Sequence, residues 1–209
     1  MIDLSLYLVT DRTLSRGRTT LEIVQAGVAG GVTCVQLREK SCGTREFIQE
    51  ALSIREFLRS RGVPLIINDR IDVAQAVAAD GVHLGQNDMP LAMARAISAG
   101  RMIIGISAES LEDAVAAEAG GADYIGVSPI YETPTKTDTA SALGLEGLAR
   151  IRKRVRIPLV GIGGLNRDNI SAVVTHGADG AAVVSAVVSA GDPRSAAREL
   201  RSVIDRARP

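Results

Sequence analysis

Eight short apolar runs, each followed by a segment with helical patterning, constrain this chain more than any single motif. The runs fall at 4–10 (LSLYLVT), 33–39 (TCVQLRE), 64–68 (PLIIN), 81–85 (GVHLG), 101–107 (RMIIGIS), 122–128 (ADYIGVS), 157–163 (IPLVGIG) and 180–185 (GAAVVS). Several are apolar almost without a break, as strands covered on both faces of a parallel sheet should be. Between them, TTLEIVQAGVAGG sets Leu21, Val24 and Val28 on one face, and TREFIQEALSIREFLRSRG does the same with Phe47, Leu52, Ile54 and Leu58. Several of the eight helix patterns stop at Gly, which readily takes the left-handed conformation after a helix. Thr44, Ser110 and Asn166 stand where N-caps are expected. Eight alternating βα units without a long interruption predict an α/β fold, a (β/α)8 TIM barrel, with residues 1–209 forming a single domain. A doubly wound sheet would more often carry a nucleotide fingerprint after its first strand, and VTDRTLSRGRT does not supply one.

Composition narrows the function classes. The 24 basic and 24 acidic residues cancel, so nothing global points to nucleic acid or a membrane surface, and any pull on anions has to be local. Only 2% of residues are aromatic and none is Trp, which argues against a platform for stacking bases. Cys34 and Cys42 have neither zinc spacing nor a Cys-x-x-Cys pair, and read as thiols of a reducing compartment. The start MIDLSLYLVTDR lacks the pattern of a signal peptide, and the apolar runs fall well short of a membrane span. The expectation is a cytoplasmic protein that handles small molecules, with no nucleic-acid or membrane partner.

Active sites of such barrels lie at the carboxyl ends of the strands. The second strand ends in Gln36, Arg38, Glu39 and Lys40, and alternation puts Gln36, Arg38 and Lys40 on one face. Two cations and an amide suit an anion with several oxygens, although a solvated strand exit has the same composition. The third and fourth strands are followed by Asp69 and Asp88. Either could cap the helix that follows. Adjacent strands lie about 4.8 Å apart, so the pair could instead share a hard cation such as Mg2+, which takes one or two protein carboxylates plus water and phosphate oxygens. Beside Arg38 and Lys40, a metal–diphosphate site is the better account. The fifth strand ends in Ser107. The sixth opens a long polar loop, SPIYETPTKTDTASALGLEG, with Thr133, Thr135 and Lys136. A loop of this length in a compact domain is often functional. The seventh and eighth strands end in GIGG and VVS, where these barrels commonly bind phosphate on backbone N–H groups. His83 and His176 both read as structural, and no arrangement for a covalent nucleophile is apparent.

In order along the chain, YLVTDR, VQLREK, IINDR, GVHLGQNDMP, IGIS, the TPTK loop, GIGG and VVS make the sequence resemble the thiamine-phosphate synthases over nearly its whole length. The resemblance implies a (β/α)8 barrel that joins a hydroxymethylpyrimidine diphosphate to a thiazole phosphate with Mg2+, releasing pyrophosphate by a dissociative route. It implies that Gln36, Arg38, Lys40 and Asn68 bind the pyrimidine diphosphate, that Asp69 and Asp88 hold the metal, and that Ser107 faces the pyrimidine. Thr133, Pro134 and Thr135 would touch the thiazole phosphate together with Gly164, Val184 and Ser185, and Lys136 would reach the diphosphate. Arg38, Lys40, Ser107 and Lys136 form the implied catalytic set. One departure is VSPIYETPTK, where many members have Gly before the Pro. The alternatives are a thiazole tautomerase-like isomerase of the same fold, whose members tend to lose the diphosphate apparatus, and a catalytically silent phosphate-binding barrel.

Overall fold

The computed structural model describes residues 2–132 and 142–208. Eight parallel strands close into a barrel in sequence order: β1 (Leu6–Val9), β2 (Cys34–Leu37), β3 (Leu65–Asn68), β4 (Gly81–Leu84), β5 (Ile103–Ala108), β6 (Tyr124–Val127), β7 (Leu159–Gly161) and β8 (Gly180–Val183). Closure is made by β8 on β1, with Leu6, Tyr7 and Leu8 opposite Ala181, Ala182 and Val183. The helices are α1 (Thr20–Ala29), α2 (Thr44–Arg59), α3 (Ile71–Ala76), α4 (Leu91–Ser98), α5 (Leu111–Ala119), α6 (Gly144–Arg154), α7 (Ile170–Thr175), α8 (Ser185–Val188) and α9 (Pro193–Ala207). The expected TIM barrel is the observed fold.

The strands are shorter than most of the runs, which also take in residues of the turns on either side, such as Thr33, Arg38 and Glu39 around β2 and Ala122, Asp123 and Ser128 around β6. The short α8 is an addition to the eight expected helices. Its sequence, SAVV, continues the apolar character of β8 and carries no helical period of its own. Ser110 caps α5 as expected, its side chain accepting from Asp113 N at 3.0 Å. Thr44 instead opens α2, with extended Gly43 at the cap position. Asn166 sits in the turn before α7, its Oδ1 accepting from Asp168 N, and Asn169 takes the cap position.

Alternation along the strands sorts side chains into two cores. Outward residues such as Leu6, Leu8, Val35, Leu37, Leu65 and Ile67 pack against the helices. Inward residues including Leu4, Tyr7, Cys34, Ile66, Tyr124 and Val160 fill the barrel. Tyr7 is 1% exposed and Tyr124 0%, so the interior is plugged beneath its mouth. Gly105 makes this possible, since a Cβ there would fall inside the Tyr124 ring.

Candidate active site

A cavity of about 330 Å³ opens above the plug, at the carboxyl ends of the strands. Gln36, Arg38 and Lys40 all line it, as the alternation of β2 predicts. Glu39 turns the other way, its side chain 2% exposed and paired with Arg12 at 3.3 Å. Arg38 is held by two partners: its backbone N–H donates to Thr10 Oγ1 at 3.0 Å, and its guanidinium pairs with Asp11 at 2.9 Å. Lys40 Nζ lies 2.6 Å from Asp69 Oδ2.

The two carboxylates at the ends of β3 and β4 do not cap helices. Arg70 and Pro90 occupy the cap positions of α3 and α4, without side-chain cap bonds. Asp69 takes the left-handed conformation, φ 61°, which Asp and Asn tolerate better than most residues. Its backbone N–H donates to His83 O at 2.8 Å, which fixes the turn against β4. Asp88 Oδ2 accepts from Gly85 N at 2.6 Å. Burial pushes the Asp88 carboxyl above the usual carboxylate range; the adjacent Asp69 adds to this, and the Gly85 N–H and Lys40 oppose it. The Lys40 ammonium beside Asp69 partly offsets the repulsion between the two carboxylates. Among the described residues no group of three or more His, Cys, Asp or Glu could hold a metal. A pair of carboxylates fits an ion such as Mg2+, which takes one or two protein carboxylates and completes its shell with water and ligand oxygens.

Asn68, 8% exposed, also lines the cavity, and its buried Nδ2 has no hydrogen-bond partner among the described residues. A buried donor left unsatisfied costs about 1–3 kcal/mol, which a ligand acceptor would recover. On the opposite rim, Gly163 (φ 105°) and Gly164 (φ 65°) bend the exit of β7 around the segment after β6. A Cβ at 164 would come within 2.8 Å of Glu132 O, so only glycine fits this approach. Val184 and Ser185 line the cavity at the start of α8. Thr133, Pro134, Thr135 and Lys136 lie outside the described residues.

Among the cavity residues that the sequence reading did not assign to the site are Tyr7, Tyr124 and His83. His83 Nε2 is 2.9 Å from Ser107 Oγ and its Nδ1 is 3.0 Å from Tyr124 Oη. This is not a hydrolytic triad. Burial pushes the Tyr124 phenol well above its usual value, so a neutral hydroxyl stands where a carboxylate would have to stabilise an imidazolium. The signal was present in the sequence, as the inward alternation of Tyr7 with Val9 and of Tyr124 with Gly126. His176, by contrast, is exposed at the end of α7, with Nδ1 2.6 Å from Ala172 O.

The thiamine monophosphate synthase family model matches residues 6–187. The chain belongs to the thiamine monophosphate synthase family. It is 53% identical to the thiamine-phosphate synthase of Chloroflexus aurantiacus over 98% of this chain and 94% of that one. It is also 53% identical to the thiamine-phosphate synthase of Syntrophomonas wolfei, over 98% of each chain. The thiamine phosphate pyrophosphorylase of Pyrococcus furiosus superposes with a TM-score of 0.92 at 43% identity, covering 98% of this chain and 97% of that one. Membership in this synthase family makes the chain an enzyme of the transferase class. No helix among its described residues is long and apolar enough to cross a membrane.

Proposed function

We propose that this thiamine-phosphate synthase family member transfers a hydroxymethylpyrimidine group from its diphosphate to the ring nitrogen of a thiazole phosphate. Pyrophosphate leaves and thiamine phosphate forms. The observation that carries this reading is the Asp69–Asp88 pair flanked by Lys40 and Arg38 in one cavity. The cavity's opposite rim carries Gly164 and Ser185, which suit a second phosphate.

In this reading the bond between the pyrimidine methylene carbon and the diphosphate oxygen breaks first, and its electron pair leaves with the diphosphate. The thiazole nitrogen lone pair then forms the new C–N bond. Neither step needs a proton removed, so the residues supply alignment and charge compensation. Arg38, oriented by Asp11 and Thr10, and Lys40 bind the diphosphate oxygens. Gln36, Asn68 and Ser107 hold the pyrimidine, and Gly164, Val184 and Ser185 take the thiazole phosphate. Thr133, Pro134, Thr135 and Lys136 join them on motif grounds. Asp69 and Asp88 would hold Mg2+, which when bound supplies positive charge against the leaving diphosphate. A cytoplasmic setting, supported by the free thiols of Cys34 and Cys42, completes the reading.

Mixing the protein with both substrates and Mg2+, and reading thiamine phosphate as its fluorescent oxidised thiochrome form, tests it. Metal-dependent product that EDTA removes is expected. A folded protein that makes none would overturn the proposal in favour of a sibling activity of the fold.

A further inference from the structure

The segment joining β1 to α1, residues 10–19, is fully described, and none of its residues lines the cavity. It is nevertheless tied to both anion-facing sides of the mouth. Near its start, Arg12 spreads its guanidinium over three carboxylates: Glu39 at 3.3 Å, Glu50 at 3.1 Å and the more exposed Glu46. Glu46 and Glu50 lie on α2, and Glu39 stands in sequence between the two cavity cations, Arg38 and Lys40. Near its end, Arg18 donates to three carbonyls at and just past the end of α8: Val188 O at 3.0 Å, Ala190 O at 2.8 Å and Gly191 O at 3.5 Å. The Ser189 hydroxyl adds a bond back to Leu14 O at 3.2 Å.

The segment is itself held at both ends. Thr10 N–H donates to Gln36 O at 3.0 Å, which ties it to β2. Thr19 caps α1 in a reciprocal box, its hydroxyl accepting from Glu22 N while the Glu22 carboxylate accepts from Thr19 N. Between them, Asp11 Oδ1 accepts from Thr13 N at 2.9 Å and fixes the turn that presents Arg12. Burial, and then Glu50, push the Glu39 carboxyl above the usual carboxylate range, and Arg12 opposes them. Without the guanidinium, a buried carboxylate would lose that compensation, and the strand exit carrying Arg38 and Lys40 would shift to relieve it. Helix α8 has only four residues, too few to hold a direction alone. What grips its far end therefore sets how Val184 and Ser185, at its near end, face the cavity. A guanidinium suits this task, with five donors in a rigid fork and no acceptor.

We propose that Arg12 and Arg18 are positioning residues, one for each anion subsite. Arg12 sets the β2 exit that presents Arg38 and Lys40 to the diphosphate, and Arg18 sets the α8 rim that presents Val184 and Ser185 to the phosphate. The β1–α1 segment is a bracket that spans the mouth without touching either ligand. The inference rests on the synthase reading above and adds to it two residues outside the cavity.

Two single variants of the full-length protein, each the control for the other, test it. Arg12→Ala should raise KM for the pyrimidine diphosphate about fivefold to tenfold and leave KM for the thiazole phosphate unchanged, and Arg18→Ala should do the reverse. A scaffold role would move both constants together in both variants. Glu39→Gln in the Arg12→Ala background should recover part of the loss, because it removes the charge that Arg12 offset. If an alanine variant fails to fold, the lysine variant at that position decides, with a smaller shift in the same constant. Calorimetry with Mg2+ and inorganic pyrophosphate needs no turnover: Arg12→Ala should bind about fivefold to tenfold more weakly, and Arg18→Ala as the wild type does. Equal effects on both substrates, or no effect from either arginine, would overturn the inference. A wild-type protein that binds pyrophosphate but forms no product would instead overturn the synthase reading, with the calorimetric contrast between the variants still deciding the inference.

Discussion

Asp69 carries two constraints at once, a carboxylate beside Asp88 and a left-handed backbone, φ 61°. A substitution that changes both would confuse charge with strain. Asp69→Asn keeps the backbone tolerance and removes the charge, so it is the cleaner probe. It should raise the Mg2+ concentration for half-maximal turnover by roughly tenfold or more. An unchanged metal dependence would remove Asp69 from the metal site. The buried phenols give a second expectation at this scale. Tyr7 and Tyr124 are held well above the usual tyrosine value, chiefly by burial, and unfolding would release them to ionise near pH 10. Above that pH the native state holds more protons than the unfolded chain. The phenols' contribution to stability is thus fully present below about pH 10 and is lost as the pH rises toward the folded-state values. Denaturant midpoints should fall more steeply there for the wild type than for a Tyr7→Phe, Tyr124→Phe double variant; equal slopes would contradict this.

At the scale of elements, the turn after β7 meets the turn after β6, and Gly164 is where they touch. A Cβ would meet Glu132 O at 2.8 Å and Tyr131 Cβ at 2.9 Å, on a backbone with φ 65°. Gly164→Ala should cost about 1–3 kcal/mol of stability. In an activity assay it should raise KM for the thiazole phosphate more than for the pyrimidine diphosphate. Equal effects on both would mean this turn is scaffold only. Elements were the most legible part of this protein in its sequence. Every strand could be found because a strand covered on both faces is mostly apolar, and PLIIN or GAAVVS has few other uses. The charged side of the mouth was legible for the opposite reason: Arg38, Lys40, Asp69 and Asp88 stand just past strands that are otherwise mostly apolar. The floor was not. Tyr7 sits within LYLV and His83 within GVHLG, where a polar atom on a mostly apolar ring looks like packing. Their partners come from other strands and become neighbours only when the barrel closes. Helix α8 escaped for a local reason, since four residues are too few to show a helical period.

For the molecule as a whole, the site unites groups from strands all around the barrel, so binding and global stability should be linked. Mg2+ with pyrophosphate, at about a hundred times its dissociation constant, should stabilise the fold by about 2.7 kcal/mol. In a chain of this size that corresponds to a rise in melting temperature of about 5–10 °C. Chelation should reverse the rise, and pyrophosphate stabilising equally with EDTA present would argue against a bound cation. The plug formed by Tyr7 and Tyr124 has a further consequence, for traffic. A barrel stopped at its floor is a cul-de-sac entered from its mouth, so whatever lodges deepest has to arrive first and depart last. In the proposed reading the heterocycle that reaches Gln36 and Ser107 would take that inner berth, and the thiazole phosphate would queue behind it at the glycine rim. Product-inhibition patterns should accordingly be those of an ordered sequence led by the pyrimidine diphosphate, and a random-order pattern would mean that the doorway is wide enough for two.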